Sequence, residues 1–382
     1  MQSLALAGGK DEIESLLDRV IAFDPHFLLL FAAPSLLQDE SIKRLISFKL
    51  EGRQFIGCST AGEISAQGHL ANTLSILAMR FDATEVRTAT ATVSSSAQST
   101  QAGGQLAESL KGPKLQGVIV FTPGIGVNGD HIVEGIVSSL GRQISLSGGL
   151  AGDETAFKST QTICNGDFYT DRLVAVGFYG DAIVLSTGSE GGWRTFGPAR
   201  RVTKSVDNVL YELDNKPALQ LYKQYLGEKA RQLPASGLAY PFALLRDDRT
   251  TSGLIRSALN IDHENEALVM AGNVPEGAKV CLMHADVFAL TQGAAQAAAE
   301  ALRTHDGPEE NGCALLVSCV GRRMVLGIDV DDEVEAVVDS FLPGTPLAGF
   351  YAYGEICSAG TLGKAELHNQ TMTITYITER RG

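Results

Sequence analysis

The chain has 382 residues, a formal net charge of −13 and a hydrophobic fraction of 44%. Its length exceeds one ordinary hydrophobic core and predicts two or three globular domains. The excess of acidic residues argues against partners made of nucleic acid or anionic lipid, and no apolar stretch approaches the roughly 18–20 residues that span a bilayer.

The first 26 residues precede the first strongly apolar run and are predicted to form a helical lead-in. They contain one short apolar patch without the basic region of a secretion signal. We therefore expect a cytoplasmic protein with no membrane insertion.

From residue 27 onward the same sequence pattern occurs three times. Each copy has an apolar run, an amphipathic stretch, a turn ending in glycine and an acid, and a second apolar run. The copies occupy residues 27–33, 57–64 and 74–81, then 118–121, 147–154 and 173–179, then 314–318, 349–356 and 372–377. Continuous apolar runs are typical of strands buried on both faces, and the amphipathic stretches begin with acids that suit a helix N-terminus. The pattern predicts an α/β fold (mixed α+β being the alternative) of repeated strand–helix–strand units, which form mixed sheets covered by helices.

A long insertion, residues 188–312, separates the second copy from the third. Within it, residues 216–226 are predicted to form a helix, and residues 286–303 another, with Asp286 as its N-cap. We divide the chain into the lead-in at 1–26 and two domains at 27–220 and 221–382.

No catalytic motif is present in the sequence. It has no phosphate-binding GxxxxGK[ST] loop and no GxSxG nucleophile turn, and its six cysteines lack the spacing of a zinc site. Cys58, Ser59 and Thr60 lie in a tight turn that could expose a nucleophile, but the sequence indicates no general base. A structural role for these three residues is the alternative, and we expect a protein that is not an enzyme.

The three glycine–acid turns place Glu63, Asp153 and Glu355 at equivalent positions. Equivalent turns of a repeat often meet at one surface, so these acids could line a ligand pocket. Alternatively, each acid accepts hydrogen bonds from the backbone of its own turn or caps the next element. Tyr351 and Tyr353 point to the same side of an extended segment and are further candidates for ligand contact. Three histidines beside apolar segments could each supply the single protein ligand that haem needs, namely His131, His284 and His368.

Several of these segments resemble the FIST family, named for F-box and intracellular signal transduction proteins. GCSTAGEI (57–64), VNGD (127–130), GGLAGDE (148–154) and residues 202–228 are similar to its N-terminal domain. ALVMAGNVPEGAKVCLM (267–283), GFYAYGEI (349–356) and LHNQTMTITYI (367–377) are similar to its C-terminal domain. The resemblance covers nearly the whole chain from about residue 27.

The resemblance implies a sensory, ligand-binding module rather than a catalyst. It also implies a separate signalling partner, a histidine kinase or a cyclic-di-GMP enzyme, because this chain carries no transmitter domain. Stand-alone members are described as haem-binding nitric oxide sensors, so haem b is one expected cofactor, with Tyr240 as an alternative oxygen ligand to the three histidines. The other version senses a small metabolite such as an amino acid without haem. An enzyme built on the Cys58 turn, a ligand-free scaffold and a homodimer are left open.

Overall fold

The computed structural model describes residues 1–141, 143–248, 250–308, 310–358 and 363–380. The strands are β1 (Gln2–Gly9), β2 (Phe27–Ala32), β3 (Gln54–Ser59), β4 (Glu63–Ser65), β5 (Gly68–Leu70), β6 (Thr73–Arg80), β7 (Glu85–Thr92), β8 (Leu115–Thr122), β9 (Ser145–Leu150), β10 (Thr162–Cys164), β11 (Asp167–Tyr169), β12 (Arg172–Tyr179), β13 (Ile183–Glu190), β14 (Arg194–Thr195), β15 (Arg200–Val206), β16 (Val209–Leu213), β17 (Lys216–Pro217), β18 (Phe242–Leu245), β19 (Thr251–Arg256), β20 (Ala258–Asp262), β21 (Ala267–Met270), β22 (Lys279–His284), β23 (Cys313–Cys319), β24 (Leu347–Ala352), β25 (Gly354–Ser358), β26 (Ala365–His368) and β27 (Met372–Glu379).

The α-helices are α1 (Ile13–Phe23), α2 (Pro34–Leu37), α3 (Glu40–Lys49), α4 (Ser99–Leu110), α5 (Gly129–Leu140), α6 (Ala218–Leu226), α7 (Val287–Arg303), α8 (Val320–Leu326) and α9 (Val330–Val338). Short 3-10 helices lie at Lys10–Glu12, Ser96–Gln98, Gly227–Gln232, Ala235–Ala239 and Gly327–Asp329. Among the described residues, no helix combines the length and the apolar character that crossing a membrane requires.

The predicted threefold repeat is confirmed as three strand–helix–strand units. In each unit two parallel strands flank a helix, and a third strand returns antiparallel to the first. The units are β2–α3–β3 with β6, β8–α5–β9 with β12, and β23–α9–β24 with β27. The apolar runs form these strands because both faces are covered, as in β2, where every residue is buried.

Two helices begin where the sequence predicts, whereas the helix expected at 216–226 begins at Ala218, because Lys216 and Pro217 form β17. The Asp39 carboxylate accepts a hydrogen bond from the Ser41 amide at 2.9 Å, which caps α3. The Asp286 carboxylate accepts one from the Ala289 amide at 2.7 Å, so α7 begins at the expected N-cap. The lead-in is only partly helical, because residues 2–9 form β1, which pairs antiparallel with β6.

The units complete one another's sheets by exchanging strands. After each glycine–acid turn the chain leaves its own unit and pairs with the second strand of another unit. Thus β4 pairs with β24, β25 pairs with β9, and β10 pairs with β3. The resulting three six-stranded sheets share one order, namely an edge strand, the closing strand, the first strand, the second strand and a borrowed hairpin. The exchange closes the three units into a ring.

Aromatic side chains from all three units meet in the centre of this ring. The rings of Phe31 and Phe350 stack with centroids 4.8 Å apart, and the ring of Phe121 meets each of them edge-on at 5.4 and 5.6 Å. All three side chains are fully buried. The three repeat units therefore share a central apolar core.

A glycine holds the two parallel strands of each unit close together. A Cβ atom at this glycine would lie 1.9 Å from the carbonyl oxygen of the residue opposite it on the first strand, far inside van der Waals contact. The pairs are Gly57 with Leu30, Gly148 with Val120, and Gly349 with Leu316. Only glycine fits at these three positions.

Much of the insertion forms a fourth, nine-stranded sheet that contains β14 to β22 and packs against α6. It joins β15 and β16 to β21 and β22. The division expected at 220/221 therefore falls inside this sheet, because strands on both sides of that boundary pair with each other. The third repeat unit, in turn, pairs with the first and second units.

Candidate functional site

The three glycine–acid turns meet where the units exchange strands. Each turn donates a backbone N–H to a carbonyl of another unit: Ala61 to Tyr351 at 2.8 Å, Gly152 to Ser59 at 2.9 Å, and Tyr353 to Leu150 at 3.1 Å. The expected convergence of the turns is therefore observed. The turns join the units through backbone hydrogen bonds, and the side chains of their acids make separate contacts.

Glu63 is fully buried and holds the start of its own closing strand. One carboxylate oxygen accepts hydrogen bonds from the amide and hydroxyl of Thr73 at 3.0 and 2.7 Å, and the other accepts one from the hydroxyl of Thr60. Burial raises the pKa of Glu63 to about 7, although the hydrogen bonds from Thr60 and Thr73 oppose the shift. These contacts connect the turn to β6.

Glu355 repeats this arrangement in the third unit. One of its oxygens accepts hydrogen bonds from the amide and hydroxyl of Thr371 at 3.1 and 2.8 Å, directly before β27. The other oxygen is buried and makes no hydrogen bond within the described residues. Burial raises the pKa of Glu355 to about 8, partly offset by the bonds from Thr371. This carboxyl thus has one unused polar atom.

Asp153 holds the loop that follows it. Its carboxylate accepts hydrogen bonds from the amides of Phe157, Lys158 and Ser159 at 2.7–2.8 Å. Tyr353 donates its hydroxyl to the same carboxylate and stacks on the ring of Phe157 with centroids 4.4 Å apart. Asp153 and Tyr353 are therefore in contact, and the polar atoms of both side chains are hydrogen-bonded within the protein.

Tyr351 belongs to a buried network around an ion pair. Its hydroxyl donates to Glu333 at 2.9 Å, and the guanidinium of Arg322 binds the same carboxylate at 2.8–2.9 Å. Arg322 also donates to the carbonyls of Gly191 and Leu290, so it ties three segments together. Desolvation raises the pKa of Tyr351 well above its ordinary value.

Cys58 and Ser59 end strand β3 rather than lying in the expected turn, and this segment lacks the features of a nucleophile. Cys58 is fully buried, and desolvation raises the pKa of its thiol well above the ordinary value, which disfavours the thiolate. The Ser59 hydroxyl accepts a hydrogen bond from the Gln161 amide at 2.9 Å. Thr60 is committed to Glu63. The segment thus offers packing and backbone contacts.

A buried polar segment runs from the end of β26 to the start of β27 and contains His368, Asn369, Gln370 and Thr371; we name it the HNQT segment, and its burial was not expected from the sequence. Each of its residues is 4% exposed or less. The Gln370 carbonyl accepts a hydrogen bond from the indole of Trp193 at 2.9 Å, and the Gln370 amide donates to Ser257 at 2.9 Å. The segment therefore joins the repeat units to the nine-stranded sheet. Its signal in the sequence is four polar residues placed between two apolar strands.

Several polar atoms of the HNQT segment are buried without a hydrogen bond inside the described chain. They are both ring nitrogens of His368, both amide atoms of Asn369 and the side-chain oxygen of Gln370. Desolvation lowers the pKa of His368 to about 4, and the charge of Arg256 adds to the effect, so its imidazole is neutral at pH 7. Unsatisfied buried groups are costly, and their concentration at one place marks a site that a ligand or water completes.

A cavity of about 220 Å³ adjoins this segment, between β19, β26 and the end of β13. His368 and Ser189 line it, and both carry unpartnered buried polar atoms. Its apolar wall is formed by Trp193, Ile255 and Met283. Four larger cavities, of about 330, 410, 630 and 940 Å³, are lined by no residue that carries one of these unpartnered atoms. The 220 Å³ cavity, which we call the Trp193 cavity, is therefore the candidate site.

The four expected haem-ligand candidates lie apart from one another. His131 lines a second cavity of about 630 Å³, which shares Glu366 with the Trp193 cavity. His284 is exposed and packs edge-on against Phe196 at 5.4 Å, while the Tyr240 hydroxyl accepts a hydrogen bond from Lys229. Of these four residues, His131 and His368 line cavities, and the two cavities both border β26 and share Leu254 and Glu366.

These surroundings fit a haem poorly. A porphyrin needs a broad apolar slot, and the Trp193 cavity lies below the roughly 300–1,000 Å³ of pockets for drug-sized ligands. The larger cavity at His131 is rich in charge, with Asp130, Glu134, Arg256, Lys364 and Glu366 in its lining. Within the described residues, no three His, Cys, Asp or Glu side chains are grouped to hold a metal ion.

Comparison with known proteins gives a family match over most of the chain. The FIST N domain matches residues 26–216, and the FIST C domain matches residues 218–358. Two uncharacterized proteins of Mycobacterium tuberculosis, MT0656 and Rv0628c, are each 28% identical over 260 residues, which is 66% of this chain and 62% of theirs. The chain thus spans under two thirds of their length. A cyanuric acid hydrolase from A. caulinodans aligns over 78% of this chain and 100% of its own at 12% identity, with a TM-score of 0.19.

Proposed function

Because this chain belongs to the FIST family of signal-transduction sensor domains, we propose that it is a sensor that binds a small ligand in the Trp193 cavity. The observation that carries the site is His368, which lines the cavity with two buried ring nitrogens that have no hydrogen-bond partner in the described chain. A small polar molecule would supply those partners. The cavity volume of about 220 Å³ suits a metabolite of amino-acid size.

A thermal-shift screen with small metabolites tests this proposal. A ligand at 100 times its Kd should stabilise the folded state by about 2.7 kcal/mol. The His368→Leu variant should lose that stabilisation while its ligand-free melting temperature stays equal or rises, because two unsatisfied polar atoms are removed from the interior. His263→Leu, in an exposed loop, is the matched control and should keep the response. Stabilisation that survives in His368→Leu would contradict the site.

We further propose that the ligand-bound chain acts on a separate cytoplasmic partner, a histidine kinase or a cyclic-di-GMP enzyme. Support comes from the family's signalling role and from the absence of an activated nucleophile at the Cys58 turn. Autophosphorylation of a candidate kinase should change when the sensor and its ligand are added together. If His368→Leu caused the same change in autophosphorylation, regulation of the kinase would not depend on ligand binding in the cavity. A homodimer is testable by light scattering on the same samples.

Haem-based nitric oxide sensing is the second version of this proposal and has its own test. The charged lining of the His131 cavity and the small volume of the Trp193 cavity speak against it. Titration with haemin should therefore give no saturable Soret band at one haem per chain. A stoichiometric band that disappears in His131→Ala or His368→Ala would establish the haem version instead.

A further inference from the structure

Three carboxylates line the Trp193 cavity, and they come from three separate elements. Glu190 ends β13, Glu300 lies on α7, and Glu366 lies on β26. Among the described residues, no lysine or arginine lines the cavity. The lining therefore contributes up to three negative charges and no cationic side chain.

These carboxylates have few partners within the protein. Glu300 accepts one long hydrogen bond, 3.4 Å from the Ser189 amide. Glu366 lies 3.8 Å from the ammonium of Lys364, whose side chain is 58% exposed, and such a wide surface pair contributes little. Glu190 lies at the solvent-facing mouth, where desolvation and the charge of Glu300 raise its pKa. The charge of Glu300 therefore disfavours the ionised form of Glu190.

Two buried polar groups face the same space. His368 is 4% exposed, and neither of its ring nitrogens makes a hydrogen bond within the described residues; the Ser189 hydroxyl is likewise without one. A neutral imidazole has one nitrogen that accepts a hydrogen bond, so His368 can receive an N–H from a ligand. The nearby guanidinium of Arg256 does not compete, because it donates to Asp130 at 3.0 Å and to backbone carbonyls.

Resting on the proposed ligand-binding function, we propose that the Trp193 cavity takes a small organic cation, an alkylammonium or alkylguanidinium. Its charged head lies among Glu190, Glu300 and Glu366 and donates an N–H to His368. Its apolar body packs on Trp193, Ile255 and Met283.

The lining selects this class over two alternatives. A metal ion is disfavoured because the described residues contain no grouping of three ligating side chains. A zwitterionic amino acid is disfavoured because no cationic side chain in the lining would receive its carboxylate. The indole of Trp193 offers a cation–π surface, and its hydrogen bond to the Gln370 carbonyl at 2.9 Å fixes the ring.

Calorimetric titration with a set of probes that share a short alkyl chain tests the charge requirement. The probes are n-butylammonium, n-butylguanidinium, 1-butanol, butyrate and 4-aminobutyrate. We expect the two cations to bind at least about tenfold more tightly than the other three, since one lost ion pair in a partly desolvated site changes Kd by roughly that factor. Equal binding of butanol and butylammonium, or preference for butyrate or 4-aminobutyrate, would overturn the inference and leave a ligand site at this cavity. No binding of any probe, together with a negative metabolite screen, would remove the proposed function as well.

Single variants locate the cation and separate binding from folding. Glu300→Gln and Glu366→Gln should each weaken butylammonium binding by about tenfold. Glu300→Gln should also raise the ligand-free melting temperature, because it removes the repulsion with Glu190. If the Glu300 carboxylate had only a structural role, its replacement would lower the affinity for butylammonium and the melting temperature together. Glu335→Gln, exposed on α9, makes the same change in net charge and should alter neither. Unchanged Kd in both cavity variants would refute the site.

Discussion

Glu355 and His368 lie directly opposite each other in the antiparallel pair of β25 and β26, and both are buried. Burial moves their pKa values in opposite directions, up to about 8 for Glu355 and down to about 4 for His368. Both groups are therefore uncharged over most of the range between these values. A centre that holds two titratable side chains in their neutral forms is sensitive to pH and to any charge brought near it.

Glu355→Gln should flatten the pH dependence of stability. Because the folded pKa of Glu355 is raised from 4.5 to about 8, the folded chain holds a proton that the unfolded chain releases between these values. Stability therefore falls as pH rises through that window, by an amount on the order of a few kcal/mol at pH 8. Glutamine keeps an acceptor for Thr371 and cannot ionise. Urea unfolding at pH 5 and pH 8 should show a smaller difference for Glu355→Gln than for the parent, and parallel profiles would contradict the argument.

Glu333→Gln should be strongly destabilising. It leaves the guanidinium of Arg322 buried without its carboxylate, and removing one partner of a buried ion pair costs about 3–5 kcal/mol. The control is Arg231→Gln, which breaks an ion pair with Glu228 whose side chains are 80% and 83% exposed. Its free energy of unfolding should change by less than about 1 kcal/mol. Similar losses in both variants, measured by chemical denaturation, would show that the buried pair is not special.

Gly57→Ala and Gly349→Ala should each prevent stable folding or cost more than about 4 kcal/mol. The added Cβ would lie 1.9 Å from a backbone carbonyl of the neighbouring parallel strand, which cannot move without breaking the sheet. Gly104→Ala on α4 is the control, because its Cβ would meet only the Gly135 carbonyl at 3.9 Å. Alanine there should be neutral or stabilising by up to about 1 kcal/mol. Soluble yield and melting temperature measure the effect. A Gly57→Ala protein as stable as the parent would refute the close approach of the two parallel strands at this glycine.

Trp193 should report occupancy of its cavity by fluorescence. It is the only tryptophan of the chain, it is 8% exposed and it forms part of the cavity wall. A molecule that binds there displaces water from the indole face and should shift its emission and reduce quenching by acrylamide. Trp193→Phe should remove the signal and weaken binding detected by calorimetry. A ligand that binds without altering the emission would have to lie elsewhere.

The repeat could be predicted from the sequence because its signals are local. Continuous apolar runs identify β2, β8 and β23, and Asp286 marks the start of α7, since capping and burial depend on neighbouring residues. The exchange of strands could not be predicted in this way. Which strand β4 or β25 pairs with is decided by segments hundreds of residues apart, and each of these strands is short.

The candidate site was harder to anticipate than the fold. His368 was expected as a haem ligand and residues 367–377 as a family segment, but the burial of the HNQT segment was not expected, because four successive polar residues resemble an exposed turn. Burial of this segment depends on Trp193 and Ser257, which are brought to it by the tertiary fold. The acids of the glycine–acid turns were expected either to contact a ligand or to hold their own turns. Glu63 and Asp153 make extensive contacts of the second kind, and ligand contact by any of the turn residues stays a prediction.

The borrowed hairpins have a mechanical consequence. The hairpin of β25 and β26 completes the sheet of the second unit, and β26 also forms one wall of the Trp193 cavity. A small displacement of β26 is thus shared at once between the unit that owns the hairpin and the unit that borrows it. The proposed ligand therefore lies at one of the three strand exchanges that close the ring, where its binding can weaken or strengthen the contact between two units.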